Sequence, residues 1–451
     1  MKKFGFSLLL LVCCTFLLFS EDIFTVVSYG SLAEVQQLIN TGVDLNTKNE
    51  DGMTPLMIAS KYNTNFNVIT TLIKYGADVN LKNEDGMTSL MWSSALNVKA
   101  EVVLALIKAG ADVDAKNIEG MTSLMLASEF NSNPEVISIL IDSGSDINAV
   151  DNDGYSSLML SSAFNSNPEV VSTLIKAGAD VNFKGKEGVT SLLWALDYNS
   201  NFDVILILIN EGADVNAIDE KGFTPLIKVA MDNTKSDLLW ILINSGADVN
   251  AKNSIGITPL MIISAYNTNP EVISRFIKAG ADVNAKSDND TTALMIAVKY
   301  NEISEVVMEL INAGADVNAI DMDGFSPLIF ALTSNSNPII LSELINSGAD
   351  VNKKIEGGFT PLMIASTLDS DNSILELIKA GANVNEKTEN GLTALMIAAG
   401  KSTNPEVLSL LIDYGADIFL QDQLGNIAFD YAEENSAIKG SKIYYVLKGS
   451  R

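Results

Sequence analysis

Past residue 50 the chain alternates two kinds of apolar block. One is short and rich in small residues, as in MTSLMLAS from residue 121; the next is denser and aliphatic, as in PEVISILID from residue 134. Leu124, Met125, Ala127 and Ser128 share one face of a predicted first helix, and Val136, Ile137, Leu140 and Ile141 share one face of a second. The polar NSN between them turns the chain. Asn133 reads as a helix N-cap and Pro134 as the first helical residue, where its missing amide hydrogen does no harm. Glu135 is then an acid facing the positive helix end. Thr122 caps the first helix in the same way, and Gly144 ends the second in a left-handed turn. SDINAVDNDG, residues 145–154, runs out and back as a hairpin-like finger.

The same unit recurs. NSNPEVIS at 131 returns as NSNPEVVS at 165, NTNPEVIS at 267 and STNPEVLS at 402. The finger glycines Gly52, Gly86, Gly120, Gly154, Gly188, Gly222 and Gly256 stand 34 residues apart, Asp290 holds the next place, and Gly324, Gly358, Gly391 and Gly425 follow. The single 33-residue step, 358 to 391, falls where STLDSDNSILELI lacks the Asn-Pro start. Eleven full units fill 52–422, with a shortened capping unit at 21–51 and another at 423–451. No unit carries enough apolar surface to fold alone, so neighbours must stack into one core. The last unit places Glu433, Glu434, Lys439 and Lys442 where inner units are apolar, as a polar cap requires.

GMTPLMIAS at 52, EVVLALIKAGADVDAK at 101 and GADVNAK at 246 and 280 resemble the ankyrin repeat, over essentially everything after residue 20. The resemblance implies an all-α solenoid of stacked helix-turn-helix units with hairpin-like fingers. It also implies a module that binds partner proteins through finger tips and the concave face of the first helices. Two departures stand out. The family's histidine after T-P-L hydrogen-bonds across the turn; here the place holds Met57, Met91, Met125, Met159, Leu193, Ile227, Met261, Met295, Ile329, Met363 and Met396. This reads as an apolar contact replacing a polar one, in an array less sensitive to pH. Asp290 is expected to cost about 1 kcal/mol if its backbone needs positive φ, which makes 288–321 the expected weak point.

Composition narrows the chemistry. The 451 residues are 47% hydrophobic and carry 29 basic against 56 acidic residues, a formal charge of −27. Such a surface repels nucleic acid and anionic headgroups. There is no histidine, and the only cysteines are Cys13 and Cys14, so no Ser-His or Cys-His pair and no His/Cys zinc site can be built from this chain. A calcium loop wants alternating carboxylates and a final Glu; around Asp151 and Asp153 the first place is Ala149 and the last Leu160. The Asp and Asn of GADVN are instead expected to cap finger turns. No glycine-rich phosphate loop or inserted domain offers a pocket. Neither cofactor, metal nor catalysis is expected.

The first residues, MKKFGFSLLLLVCCTFLLFSED, have the basic start, apolar run and polar exit of a secretory signal, with cleavage expected between Ser20 and Glu21. Lipidation at Cys13 or Cys14 and an uncleaved anchor are the alternatives, although the run from Phe4 to Phe19 is slightly shorter than the ~17 residues that span a bilayer. Each alternative exports the rest of the chain. No membrane insertion beyond this segment is expected.

Two sets of residues are candidates for partner binding. The finger tips vary on a constant frame: Glu84, Asp85, Ile118, Glu119, Asp153, Lys186, Glu187, Glu220 and Lys221. Variable tips on a fixed scaffold suit recognition, and unselected drift gives the same pattern. The second set is a ladder of rings, Tyr62, Phe130, Phe164, Tyr198, Tyr266 and Tyr300, eight residues after each capping Thr or Ser. Helical spacing favours burial of these rings against the neighbouring unit, and Trp92 and Trp194 are expected in the core. The expected function is a monomeric, non-catalytic scaffold in the periplasm or cell envelope that binds another protein. A secreted or surface-exposed binder of foreign proteins is the alternative.

Overall fold

The computed structural model describes residues 22–97, 99–232, 236–335 and 337–449, so the expected cleavage site at Ser20 and Glu21 lies outside the described residues. Among them are 26 α-helices, two single 3-10 turns and no strand. The all-α repeat architecture is as the pattern predicts. The fingers are less sheet-like than hairpins: one isolated bridge, Val150 to Ser156, is all the described pairing they hold. The chain divides into two compact units, Met1–Glu220 and Lys221–Arg451.

Within a repeat the local signals act as read. The first helix Ser123–Phe130 starts at Thr122, whose hydroxyl accepts from the Met125 amide at 3.3 Å. The second helix Pro134–Asp142 starts at Asn133, whose side-chain oxygen accepts from the Glu135 amide at 3.0 Å. Gly144 leaves it at φ 95°, a conformation that costs a glycine little. Leu124, Met125, Ala127, Val136, Ile137 and Leu140 are wholly buried, each large side chain contributing roughly 1.5–3 kcal/mol. Ile141, expected among them, is only half-buried.

The methionines after T-P-L, T-S-L or T-A-L do more than fill space. Met57, Met91, Met125 and Met396 each turn the thioether sulfur back onto the capping threonine amide at 3.4 Å, and Met363 does so at 3.5 Å. The expectation of a purely apolar replacement is corrected for these five: a weak sulfur acceptor closes a capping box. Leu193, Ile227 and Ile329 have no such atom to offer.

Neighbouring repeats within each unit are tied by polar ladders that the periodicity alone does not announce. Asn131 accepts from the Asn133 amide at 3.0 Å and donates to the backbone oxygens of Ser94 and Asn97, at 2.8 and 3.0 Å. Asn63, Asn97, Asn165 and Asn199 in the first unit and Asn301, Asn335 and Asn435 in the second reach back in the same way. In GADVN the aspartate caps its own finger, Asn80 N–H to Asp78 at 2.9 Å, as expected of both residues. The asparagine instead bridges forward, Asn80 donating to the Gly110 oxygen and accepting from the Asp112 amide, each at 2.9 Å. At the finger bases Lys48, Lys82 and Lys116 each place the ammonium on a backbone oxygen of the following finger, at 2.8 to 3.0 Å.

Finger shape follows one residue. At most fingers the place holds Asn or Asp, whose side chain accepts from the amides two and four residues on, as Asn117 does from Glu119 and Met121. Gly185 and Ile355 offer no acceptor, and these two fingers tighten into the 3-10 turns Lys186–Gly188 and Glu356–Gly358. The tighter turn needs a second left-handed residue, which is Gly357 in one finger and Glu187, at φ 59°, in the other. Asp290 does adopt positive φ, 57°. Asp369, in the repeat lacking the Asn-Pro start, has φ 54°.

Candidate binding surface

Every finger-tip candidate is exposed: Glu84, Asp85, Ile118, Glu119, Asp153, Lys186, Glu187, Glu220 and Lys221. At several tips the backbone fixes the spacing by a bond to the finger before. The Ile118 amide donates to Asp85 at 3.0 Å, the Asn152 amide to Glu119 at 2.9 Å and the Glu220 amide to Glu187 at 2.9 Å. In the second unit the Ser254 amide meets the Lys221 oxygen at 3.1 Å. Asp153 and Lys186 form an ion pair at 2.8 Å. The tips are thus variable side chains on a hydrogen-bonded rail.

The rings are where the sequence misleads. Tyr62, Phe130, Phe164, Tyr198, Tyr266 and Tyr300 are between 45% and 62% exposed, so the expectation that they bury against a neighbour is overturned. Each sits at the last turn of a first helix, where the buried asparagine beyond it already fills the space between repeats and leaves the ring outside. Nor do they form one unbroken stripe. Phe164 touches Tyr198 with ring centres 5.7 Å apart, while Tyr62 meets Tyr29, a ring outside the predicted ladder, at 6.2 Å. Trp92 and Trp194, expected in the core, are half-buried at its edge and belong to the same face.

Between fingers and first helices lie shallow grooves. One, of about 370 Å³ in the first unit, has Trp92, Leu96, Leu126 and Phe130 below and Asp85, Ile118 and Glu119 along the rim. A larger one of about 800 Å³ in the second unit has Ile296, Tyr300 and Phe330 below and Met322 and Asp323 at the rim. Trp92 and Ile296 hold equivalent places, as do Leu96 and Tyr300, so one groove type is written twice with different residues. Beside the first groove, Glu129 is held above the usual carboxylate range by burial and then by the nearby Glu119 and Asp151. Among the described residues no group of His, Cys, Asp and Glu could hold a metal ion.

A sequence profile described as ankyrin repeats (3 copies) matches this chain in overlapping stretches from 23–117 through 362–443. The chain belongs to the ankyrin-repeat family. Ankyrin repeats are generally protein–protein interaction modules, and the family is typically non-catalytic. A search of curated proteins gives no match. Among the described residues no helix of this ankyrin-repeat chain is long and apolar enough to cross a membrane.

Sequence reasoning missed Tyr29, Tyr155, Leu96 and Met322 on this face. Tyr29 and Leu96 were findable: they stand 33 residues before and 34 after Tyr62, one repeat away in each direction.

Proposed function

We propose that this protein is a non-catalytic scaffold, exported to the periplasm or cell envelope, that binds a partner protein as a monomer on its finger and first-helix face. The observation that carries the reading is the exposure of the ring ladder. Repeats that wholly bury aliphatic side chains such as Leu124, Val136 and Leu140 leave six aromatic rings at least 45% exposed at equivalent places. Exposed aromatics flanking grooves are the groups that anchor protein interfaces. Support for export is the basic, then apolar, segment Lys2 to Phe19.

The test is crosslinking in intact producing cells and their medium, followed by recovery of this chain and mass spectrometry. One enriched partner in the envelope is the expected result. The chain recovered only in the medium, with no envelope partner, would instead favour a released binder of foreign proteins. Abundant chain in the envelope with no enriched partner would overturn the scaffold reading.

A further inference from the structure

The array contains two built-in examples of how its aromatic face accepts a cation. Lys61 holds its ammonium 3.9 Å from the centre of the Trp92 ring, and Lys299 holds its own 5.3 Å from that of Phe330. In both, the lysine precedes the ring by 31 residues, so it comes from the end of one first helix and covers the ring on the next. The distances are those of cation–π contact.

Trp194 occupies the place of Trp92 and Phe330, and 31 residues before it stands Ala163. Among the described residues no cation lies over it. Its neighbours are rings: Tyr155 at 4.1 Å, Phe164 at 5.7 Å and Tyr198 at 6.2 Å, the last two about half-exposed or more. The surroundings are acidic. Around Tyr155 stand Asp153, Glu187 and Asp151 against the single Lys186, and that lysine is already paired with Asp153. Four rings and an excess of carboxylates therefore gather in a repeat where two others set a lysine over the equivalent ring, Tyr155 packing against Trp194 there.

Resting on the binding face proposed above, we infer that the cluster of Tyr155, Phe164, Trp194 and Tyr198 receives a lysine or arginine side chain from a polypeptide partner, in the position that Lys61 and Lys299 fill internally. The stem of such a side chain lies along the rings while its head meets the carboxylates. The partner segment is accordingly basic, in keeping with the chain's charge of −27.

The test uses the full chain and a short peptide of alternating arginine and alanine, with affinity followed by calorimetry at low and at physiological salt. The decisive variant is Ala163→Lys, which fills the position from within without removing a ring; the slot already holds lysine at 61 and 299. Ala163→Lys and the pair Trp194→Ala with Tyr198→Ala are expected to weaken the peptide about tenfold, and Tyr414→Ala, at an exposed ring outside the ladder, to leave it unchanged. Equal affinity in wild type and Ala163→Lys, or no binding to wild type, would overturn the inference. It fails separately from the wider reading: a native partner crosslinked in equal yield to wild type and Ala163→Lys would keep the binding face and discard the basic anchor.

Discussion

The carboxamide of Asn131 donates to the backbone oxygen of Asn97, 3.0 Å away, and so fastens the turn of one repeat to the turn before it. The same nitrogen reaches Ser94, and the same side chain's oxygen takes the Asn133 amide. Asn131 is buried, so its removal strands two carbonyls and one amide away from water. Asn131→Ala is expected to lower stability by about 2–3 kcal/mol in denaturant unfolding followed by circular dichroism. A change under about 0.5 kcal/mol would mean that water replaces the amide.

Asp290→Gly is expected to raise the unfolding midpoint or leave it unchanged. The strain of positive φ, about 1 kcal/mol, outweighs the exposed 3.4 Å pair with Lys286. Glu187→Gly, in the finger where Gly357 has the equivalent place, is expected to stabilise by about 1 kcal/mol. A clear drop in either variant would assign the side chain a necessary contact.

Tyr198→Ala with Tyr266→Ala is expected to shift stability by no more than about 3 kcal/mol without unfolding the chain, since each ring is 62% exposed and Tyr198 gives up ring contacts with Phe164 and Trp194. Loss of a crosslinked partner with an intact melting curve is the combined result expected; marked unfolding would return the rings to a structural role.

The pH profile has a definite sign. No histidine is present, so stability should change little between about pH 5 and 8 apart from the contribution of Glu129. Burial works to raise Asp369 and Asp422, but hydrogen bonds from Ser402, Thr403 and Asn404 to the first, and from Tyr431, Asn426 and Leu424 to the second, hold both below the usual range. Lys354 holds Glu386 low. Their stabilisation is present above about pH 4 and is lost as pH falls through the folded values. Glu129 has the opposite sign. Its raised value makes the ionised form costly at neutral pH, so Glu129→Gln should stabilise at pH 7 and gain nothing below about pH 4. Thermal melts of both proteins across that range check the pair of expectations.

What could be read from the sequence was whatever is local. Thr122, Asn133, Pro134 and Gly144 act through amides a few residues away, so their letters suffice to place helix starts and ends. What could not be read was settled one repeat away. The buried asparagines recur visibly at 63, 97, 131, 165 and 199, but their partners are backbone oxygens 33 to 37 residues back, which no side-chain letter reports. Their occupancy of the inter-repeat space is what turns the neighbouring rings outward, and so the aromatic ladder was misjudged with them. The sulfur caps were hidden for another reason: methionine reads as apolar, and only its rotamer brings the weak acceptor onto the threonine amide.

The lengths of these ties also govern assembly. Asn131 reaches back 37 residues to Ser94, Asn80 forward 30 to Gly110 and Lys82 forward 34 to Lys116. A repeat can therefore close its polar bonds once its immediate neighbour exists, without waiting for the remainder of the chain. Folding can keep pace with emergence from a ribosome or a channel, N-terminus first. The length of exposed apolar chain at any moment is then about one repeat, however many repeats the protein has.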